Sequence, residues 1–93
     1  MTATEKSYRS VPMADVGAIA SAARYVEGGW GDRYSMGLAG SRVWKDRMYW
    51  LFQVRASDGS RFLVGSDRYG NCLAPEHIPD YHALALELDV EVS

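Results

Sequence analysis

The chain has little cysteine, no long apolar run and no compact catalytic signature, and each absence removes a class of function. Its single cysteine, Cys72, cannot close a disulfide within the chain, so the fold has to be held by its core. No stretch approaches the ~18 consecutive apolar residues of a membrane helix, which excludes a helical span. Met1 to Ser10 is polar and lacks the apolar stretch of a secretory signal, so a reducing, cytoplasmic setting is expected. No Gly-x-Ser-x-Gly, Gly-x-Gly-x-x-Gly or Walker sequence occurs. The run Gly28-Gly29-Trp30-Gly31 follows a helical pattern, whereas a phosphate cradle uses the amide-rich start of a helix.

What is present is a globular composition. Of 93 residues 47% are hydrophobic, with Trp 3, Tyr 6 and Phe 2, too apolar for a disordered chain. The length suits one domain. Folding at this size buries roughly 60 to 65% of the unfolded surface, so a partner that covers more would add stability.

A net charge of -2 conceals three unlike segments. Residues 1–32 are close to neutral, with three basic and four acidic side chains. Residues 33–68 carry Arg33, Arg42, Lys45, Arg47, Arg55, Arg61 and Arg68 against Asp46, Asp58 and Asp67, a net of +4. Residues 69–93 have no Lys or Arg and hold Glu76, Asp80, Glu87, Asp89 and Glu91, a net of -5. Such a layout forms a basic binding face, a solvating tail, or an acidic strand beside a basic one.

The pattern along the chain predicts an α+β domain over residues 10–93 after a flexible arm over 1–9. Val16, Ile19, Ala20, Ala23 and Val26 form the stripe of an amphipathic helix from about Pro12 to Glu27. Ser10 is positioned to cap it, Pro12 suits its first turn, and Gly28-Gly29 is expected to end it. Its narrow faces, with Ala14, Gly17, Ala18, Ser21 and Ala22, permit close approach to a sheet or a partner. Tyr34, Met36 and Leu38 alternate as a short strand that Gly40-Ser41 should end. Met48 to Ala56 and Arg61 to Ser66 read as strands joined by Ser57-Asp58-Gly59. A three-residue turn with Gly59 left-handed pairs Val54 with Phe62 and Phe52 with Val64. One face then carries Met48, Trp50, Phe52, Val54, Phe62 and Val64 as core. The other carries Tyr49, Leu51, Gln53, Arg55, Arg61 and Leu63, with the two arginines opposite each other. Asp67 to Asn71 is a turn into a short strand, Cys72 to Ala74. Pro75 and Pro79 bar regular structure between them, and Pro79-Asp80 can open one helical turn. Leu84, Leu86, Leu88, Val90 and Val92 alternate with small and acidic residues, which predicts a last strand with an acidic face; a helix through Tyr81, Leu84, Ala85 and Leu88 is the alternative, but it leaves Val90 and Val92 off its stripe. The expected whole is one N-terminal amphipathic helix packed on a four- to five-stranded antiparallel sheet.

Three groups of residues bear on function. Asp-Arg pairs recur in Asp32-Arg33-Tyr34, Asp46-Arg47-Met48-Tyr49 and Asp67-Arg68-Tyr69, where Asp should open a turn, Arg cover it and Tyr anchor the next strand. Cys72, Glu76, His77, Asp80 and His82 lie close in sequence, but their spacing is not that of zinc sites. A Cys72 nucleophile with His77 as base would sit in the acidic part of the chain, which opposes the thiolate. The third group is basic and aromatic: Trp30, Arg42, Trp44, Lys45, Arg47, Tyr49, Arg55, Arg61 and Arg68.

Arg, Trp and Tyr make up both protein-interface hot spots and stacking platforms for nucleic acid. The sequence therefore points first to a small cytoplasmic protein-interaction module, an inhibitor, adaptor or accessory subunit, with a homodimer through an edge strand as a further form. A nucleic-acid-binding protein using the same side chains is the alternative, and a metal or thiol site around Cys72, His77 and His82 the third. No cofactor, membrane contact or enzymatic activity is expected. If Glu87, Asp89 and Glu91 instead neutralise Arg55 and Arg61 across the sheet, the face is silent.

Overall fold

The structure, a computed structural model, describes residues 14–93. The arm expected over 1–9, the Ser10 cap and the Pro12 first turn lie outside the described residues. Helix α1 (Val16–Trp30) is followed by the strands β1 (Tyr34–Trp44), β2 (Arg47–Ala56), β3 (Arg61–Ser66) and β4 (Cys72–Leu73). They form one antiparallel meander in the order β1-β2-β3-β4. A 3-10 turn, Pro75–His77, and a short helix α2 (Tyr81–Glu87) complete the elements. The architecture is the expected α+β arrangement of a helix on a four-stranded sheet.

Helix α1 begins at Val16 rather than near Pro12, because Asp15 is extended and its carboxylate accepts from the Gly17 amide at 2.8 Å, capping the first turn. It also runs through Gly28-Gly29, where an end was expected. Trp30 in its last turn packs on Phe62 with ring centroids 4.6 Å apart, and Gly31, at φ 86°, supplies the cap through its amide to the Glu27 carbonyl. The buried stripe Ala18, Ile19, Ala22 and Val26 covers Met36, Phe52, Val54, Phe62 and Val64. The narrow helix face is used for close approach. A Cβ on Gly17 would stand 2.9 Å from the Arg68 carbonyl oxygen. Nearby, the Ser66 hydroxyl donates to the Ala18 carbonyl at 2.6 Å, and Ser21 donates to the Gly70 carbonyl at 3.0 Å.

The β2–β3 hairpin has the expected turn and register, with Gly59 at φ 90° and Val54↔Phe62, Phe52↔Val64 and Arg55↔Arg61 opposite. Met48 departs from the expected core. It sits opposite Val43 beside the β1–β2 turn, outside the cluster under α1, and is 44% exposed. Strand β1 does not stop at Gly40-Ser41. Its pairing shifts from Leu38↔Phe52 to Gly40↔Leu51, leaving Ala39 as a bulge. The shift exchanges faces: Met36 and Leu38 face α1, whereas Arg42 and Trp44, opposite Tyr49 and Arg47, face the other way. Lys45 (φ 52°) and Asp46 (φ 63°) then close a two-residue turn.

The far side of the sheet is partly roofed. The segment from Pro75 to Pro79 is not without regular structure, since Pro75 opens the 3-10 turn at a position where no amide is needed. The last strand expected over Leu84 to Val92 is instead helix α2 and an irregular tail. Leu84 and Ala85 turn inward with Ile78 onto Leu51 and Leu63, while Leu86 is 83% exposed. A helix buries one side of this segment, and the alternation in sequence misstates that side. Gly40 gives Leu88 its place, because a Cβ there would fall 2.8 Å from a Leu88 methyl. The tail and α2 also close the outer edge of β3. The Ser93 amide donates to the Arg61 carbonyl and the Arg61 amide to the Ser93 hydroxyl, the Leu63 amide donates to the Tyr81 hydroxyl at 3.0 Å, and Gly65 and Ser66 pair with β4.

Candidate functional site

The end of the β1–β2 hairpin gathers five of the side chains singled out by composition. Pairing of Arg42 with Tyr49 and of Trp44 with Arg47 puts all four on the face away from α1, with Lys45 in the turn. A two-residue turn that follows the strand twist needs both central residues left-handed, which costs a residue other than Gly about 1 kcal/mol or more. Trp44 and Tyr49 meet with ring centroids 5.6 Å apart. They border a cavity of about 420 Å³, lined by Trp44, Lys45, Arg47 and Tyr49 from the hairpin and by Leu73, His77 and Pro79 from β4 and the segment after it.

Arg47 is fixed from behind. Its guanidinium donates to the Asp67 carboxylate at 3.0 Å and lies 5.4 Å from the centre of the Tyr69 ring. Asp67 is fully buried and organises the β3–β4 turn: one oxygen accepts from the Tyr69 and Asn71 amides, the other from the Asn71 side chain and Arg47. Burial pushes its carboxyl up, but the bonds from Asn71 and Tyr69, together with the Arg47 charge, outweigh burial and hold it below the usual carboxylate range. Asp67 thus opens its turn as the Asp-Arg-Tyr pattern predicts, yet Arg47 rather than Arg68 covers it. Tyr69, 72% exposed, stacks on Arg47 instead of anchoring the next strand.

The remaining members of the set lie elsewhere. Trp30 packs between Tyr25 and Phe62 on the α1 side of the sheet and belongs to that core. Arg68 stands 4.0 Å from the Asp15 carboxylate beside the start of α1. Arg55 and Arg61 face each other at the opposite end of β2, about 27 Å along the strand from Arg47. They border a polar groove of about 500 Å³ with Gln53, Asp89 and Glu91.

The acidic segment does reach the basic one. Of the pairings that would silence the face, Glu91 with Arg61 occurs, whereas Glu87 pairs with Arg42 instead. Among the described residues Arg55 and Lys45 take part in none of the ion pairs.

The described residues hold no group of three His, Cys, Asp or Glu able to bind a metal ion. Burial pushes the Cys72 thiol up, only partly offset by the Ser21 hydroxyl and the Leu73 amide, so at neutral pH it is a thiol and a poor nucleophile. His77 lines the hairpin cavity and His82 lies edge-on to the Tyr81 ring at 5.3 Å. Sequence reasoning missed Leu73 and Pro79 as walls of the Trp44 cavity and Tyr69 as the ring under Arg47, because only the folded meander brings these segments to the hairpin end. No protein-family model, curated protein or solved structure matches this chain.

Proposed function

We propose that the chain is a small cytoplasmic protein-interaction module, an inhibitor, adaptor or accessory subunit, that binds another protein through the end of the β1–β2 hairpin. The observation that carries this reading is the Trp44–Tyr49 ring pair beside a cavity at a sheet end that α1 leaves uncovered. On the opposite face of the same hairpin end Val43 and Met48 are 61% and 44% exposed, so apolar surface continues around the tip. Large aromatics that are half-buried and rimmed by cations are the side chains on which interface energy concentrates. The reading assigns the chain no catalysis and no cofactor.

Nucleic-acid binding ranks second because of the ion pairs. Arg42, Arg47 and Arg61 each have a carboxylate partner, which leaves fewer cations to neutralise a phosphate chain. A second copy joined through β1 is a further form of the same interaction role, since that strand forms the outer edge of the sheet.

The test is recovery of a partner from the native host with the full chain as bait. Trp44→Ala/Tyr49→Ala should retain the wild-type circular dichroism spectrum and lose the co-purifying protein. Arg55→Ala, at the far end of the sheet, should keep it. Undiminished recovery with the aromatic double variant sinks the reading.

A further inference from the structure

We infer that the partner segment seated at the hairpin end is acidic, with a carboxylate next to an apolar side chain; this rests on the reading just given. The cationic lining of the cavity comes from Lys45 and Arg47, with the His77 ring beside them, and no carboxylate lines it. The two cations differ in what they can offer. Arg47 is held by Asp67 and stacked on Tyr69, so its charge is already answered and it serves as wall. Lys45 has no ion pair among the described residues and is free to meet a carboxylate.

Lys45 also occupies a turn position, at φ 52°, where Gly, Asn or Asp would sit with less strain. Backbone strain retained to hold an ammonium next to Trp44 has a ready physical reading as ligand placement. The apolar half of the specificity comes from Trp44, Tyr49, Leu73 and Pro79.

The chain's own α2 shows the chemistry this face accepts. Glu87 at its end pairs with Arg42, and the adjoining Leu88 fills the space over Gly40. A partner segment of like pattern, seated further toward the tip, would set its carboxylate on Lys45 and its apolar side chain against Trp44 and Tyr49. A basic segment would meet Lys45 and Arg47 unfavourably, which gives selection as well as affinity.

The test uses the full chain on an array of synthetic peptides in which one central Leu, Phe or Trp is flanked by Asp/Glu, by Ser/Gly or by Lys. Binding is expected on the acidic set, weakening as salt rises. Lys45→Glu should weaken it about tenfold or more and shift preference toward the Lys-flanked set. Trp44→Ala should abolish binding to every set, with folding checked by amide spectra. Binding indifferent to flanking charge and to Lys45→Glu, but lost in Trp44→Ala, overturns the acidic specificity and leaves the interaction role standing. Binding retained in Trp44→Ala/Tyr49→Ala overturns both. No binding to any set overturns the acidic specificity.

Discussion

Arg47 and Asp67 join the tip of the β1–β2 hairpin to the β3–β4 turn at 3.0 Å, the first half-exposed at the candidate surface and the second fully buried. One contact therefore couples the proposed binding end to the interior. Asp67→Ala removes the acceptor for two backbone amides and the Asn71 side chain, while Arg47 can turn to water. The expected loss is about 2 to 3 kcal/mol, read from urea unfolding. Arg47→Ala should cost less and instead release Tyr69, seen as faster exchange of the turn amides.

Acid sensitivity follows from the same carboxylate. Burial opposes ionisation of Asp67, but its hydrogen bonds and Arg47 win, so its folded value lies below the unfolded one, about 4. Asp58 moves in the same direction through its bonds with Ser60. A depressed value stabilises the fold above the unfolded value, and that gain disappears as pH falls through the folded one. Urea midpoints should therefore hold near neutrality and drop below about pH 4. The gap between wild type and Asp67→Asn should close over that same acid range; a constant gap would contradict the assignment.

Two helical glycines should respond oppositely to alanine. Gly28 has open space where a Cβ would lie, so Gly28→Ala should stabilise by up to about 1 kcal/mol through helix propensity. Gly17→Ala makes the same local gain but sets a methyl 2.9 Å from the Arg68 carbonyl oxygen, a backbone atom that cannot simply rotate away. We expect a net loss of about 1 to 2 kcal/mol and a shift in the Ser21–Gly70 contact, measurable by thermal unfolding and amide chemical shifts.

The particular residues show why some of this was legible in sequence. Gly59 after Ser57-Asp58 announces its turn, and the apolar identities of Val54, Phe62, Phe52 and Val64 leave only one register that keeps a face dry. The β1–β2 turn gives weaker notice: Asp46 suits a turn, but Lys45 takes a left-handed conformation that sequence ordinarily assigns to Gly, Asn or Asp. The Ala39 bulge conceals the rest of β1, since side chains before and after it answer to opposite faces. At the tail, strict alternation from Leu84 to Val92 mimics a strand. The stripe Tyr81, Leu84, Ala85 and Leu88 reads equally well as a helix, and what decides between the two is the need to cover Leu51 and Leu63 on the second face, which is tertiary. The aromatic and basic set was legible as a composition. Its division between a hairpin end, a core tryptophan and a distant arginine pair required the meander.

Tyr81 tests the cover on that second face. Its hydroxyl accepts from the Leu63 amide at 3.0 Å, and burial pushes its phenol up, partly offset by that amide. Tyr81→Phe keeps the ring and leaves a backbone donor of β3 without an acceptor. The expected cost is about 1 to 2 kcal/mol, with hydrogen exchange at Leu63 accelerated beyond the change at Leu51, which bonds within the sheet.

The two outer edges of the sheet are treated differently, and that contrast bears on self-association. On β3 the outward backbone groups of Arg61, Leu63 and Gly65 are met by Ser93, Tyr81 and β4. On β1 the residues from Tyr34 to Ser41 contain no charge and no proline, the two devices that ordinarily blunt an edge, and only the Ala39 bulge interrupts them. The two-residue turn makes Trp44 and Arg47 a hydrogen-bonded pair, so alternation turns the backbone of Arg42 and Gly40 toward β2 and that of Ser41 and Val43 outward. A second copy can add its β1 antiparallel here without setting like charges opposite each other over Tyr34 to Ser41. Sedimentation over a concentration series should then show a monomer–dimer equilibrium. Ser41→Pro removes an outward amide at an exposed edge position, where proline is tolerated, and should yield a folded monomer. A wild-type chain that stays monomeric at the highest soluble concentration would exclude pairing through β1 while leaving the hairpin end untouched.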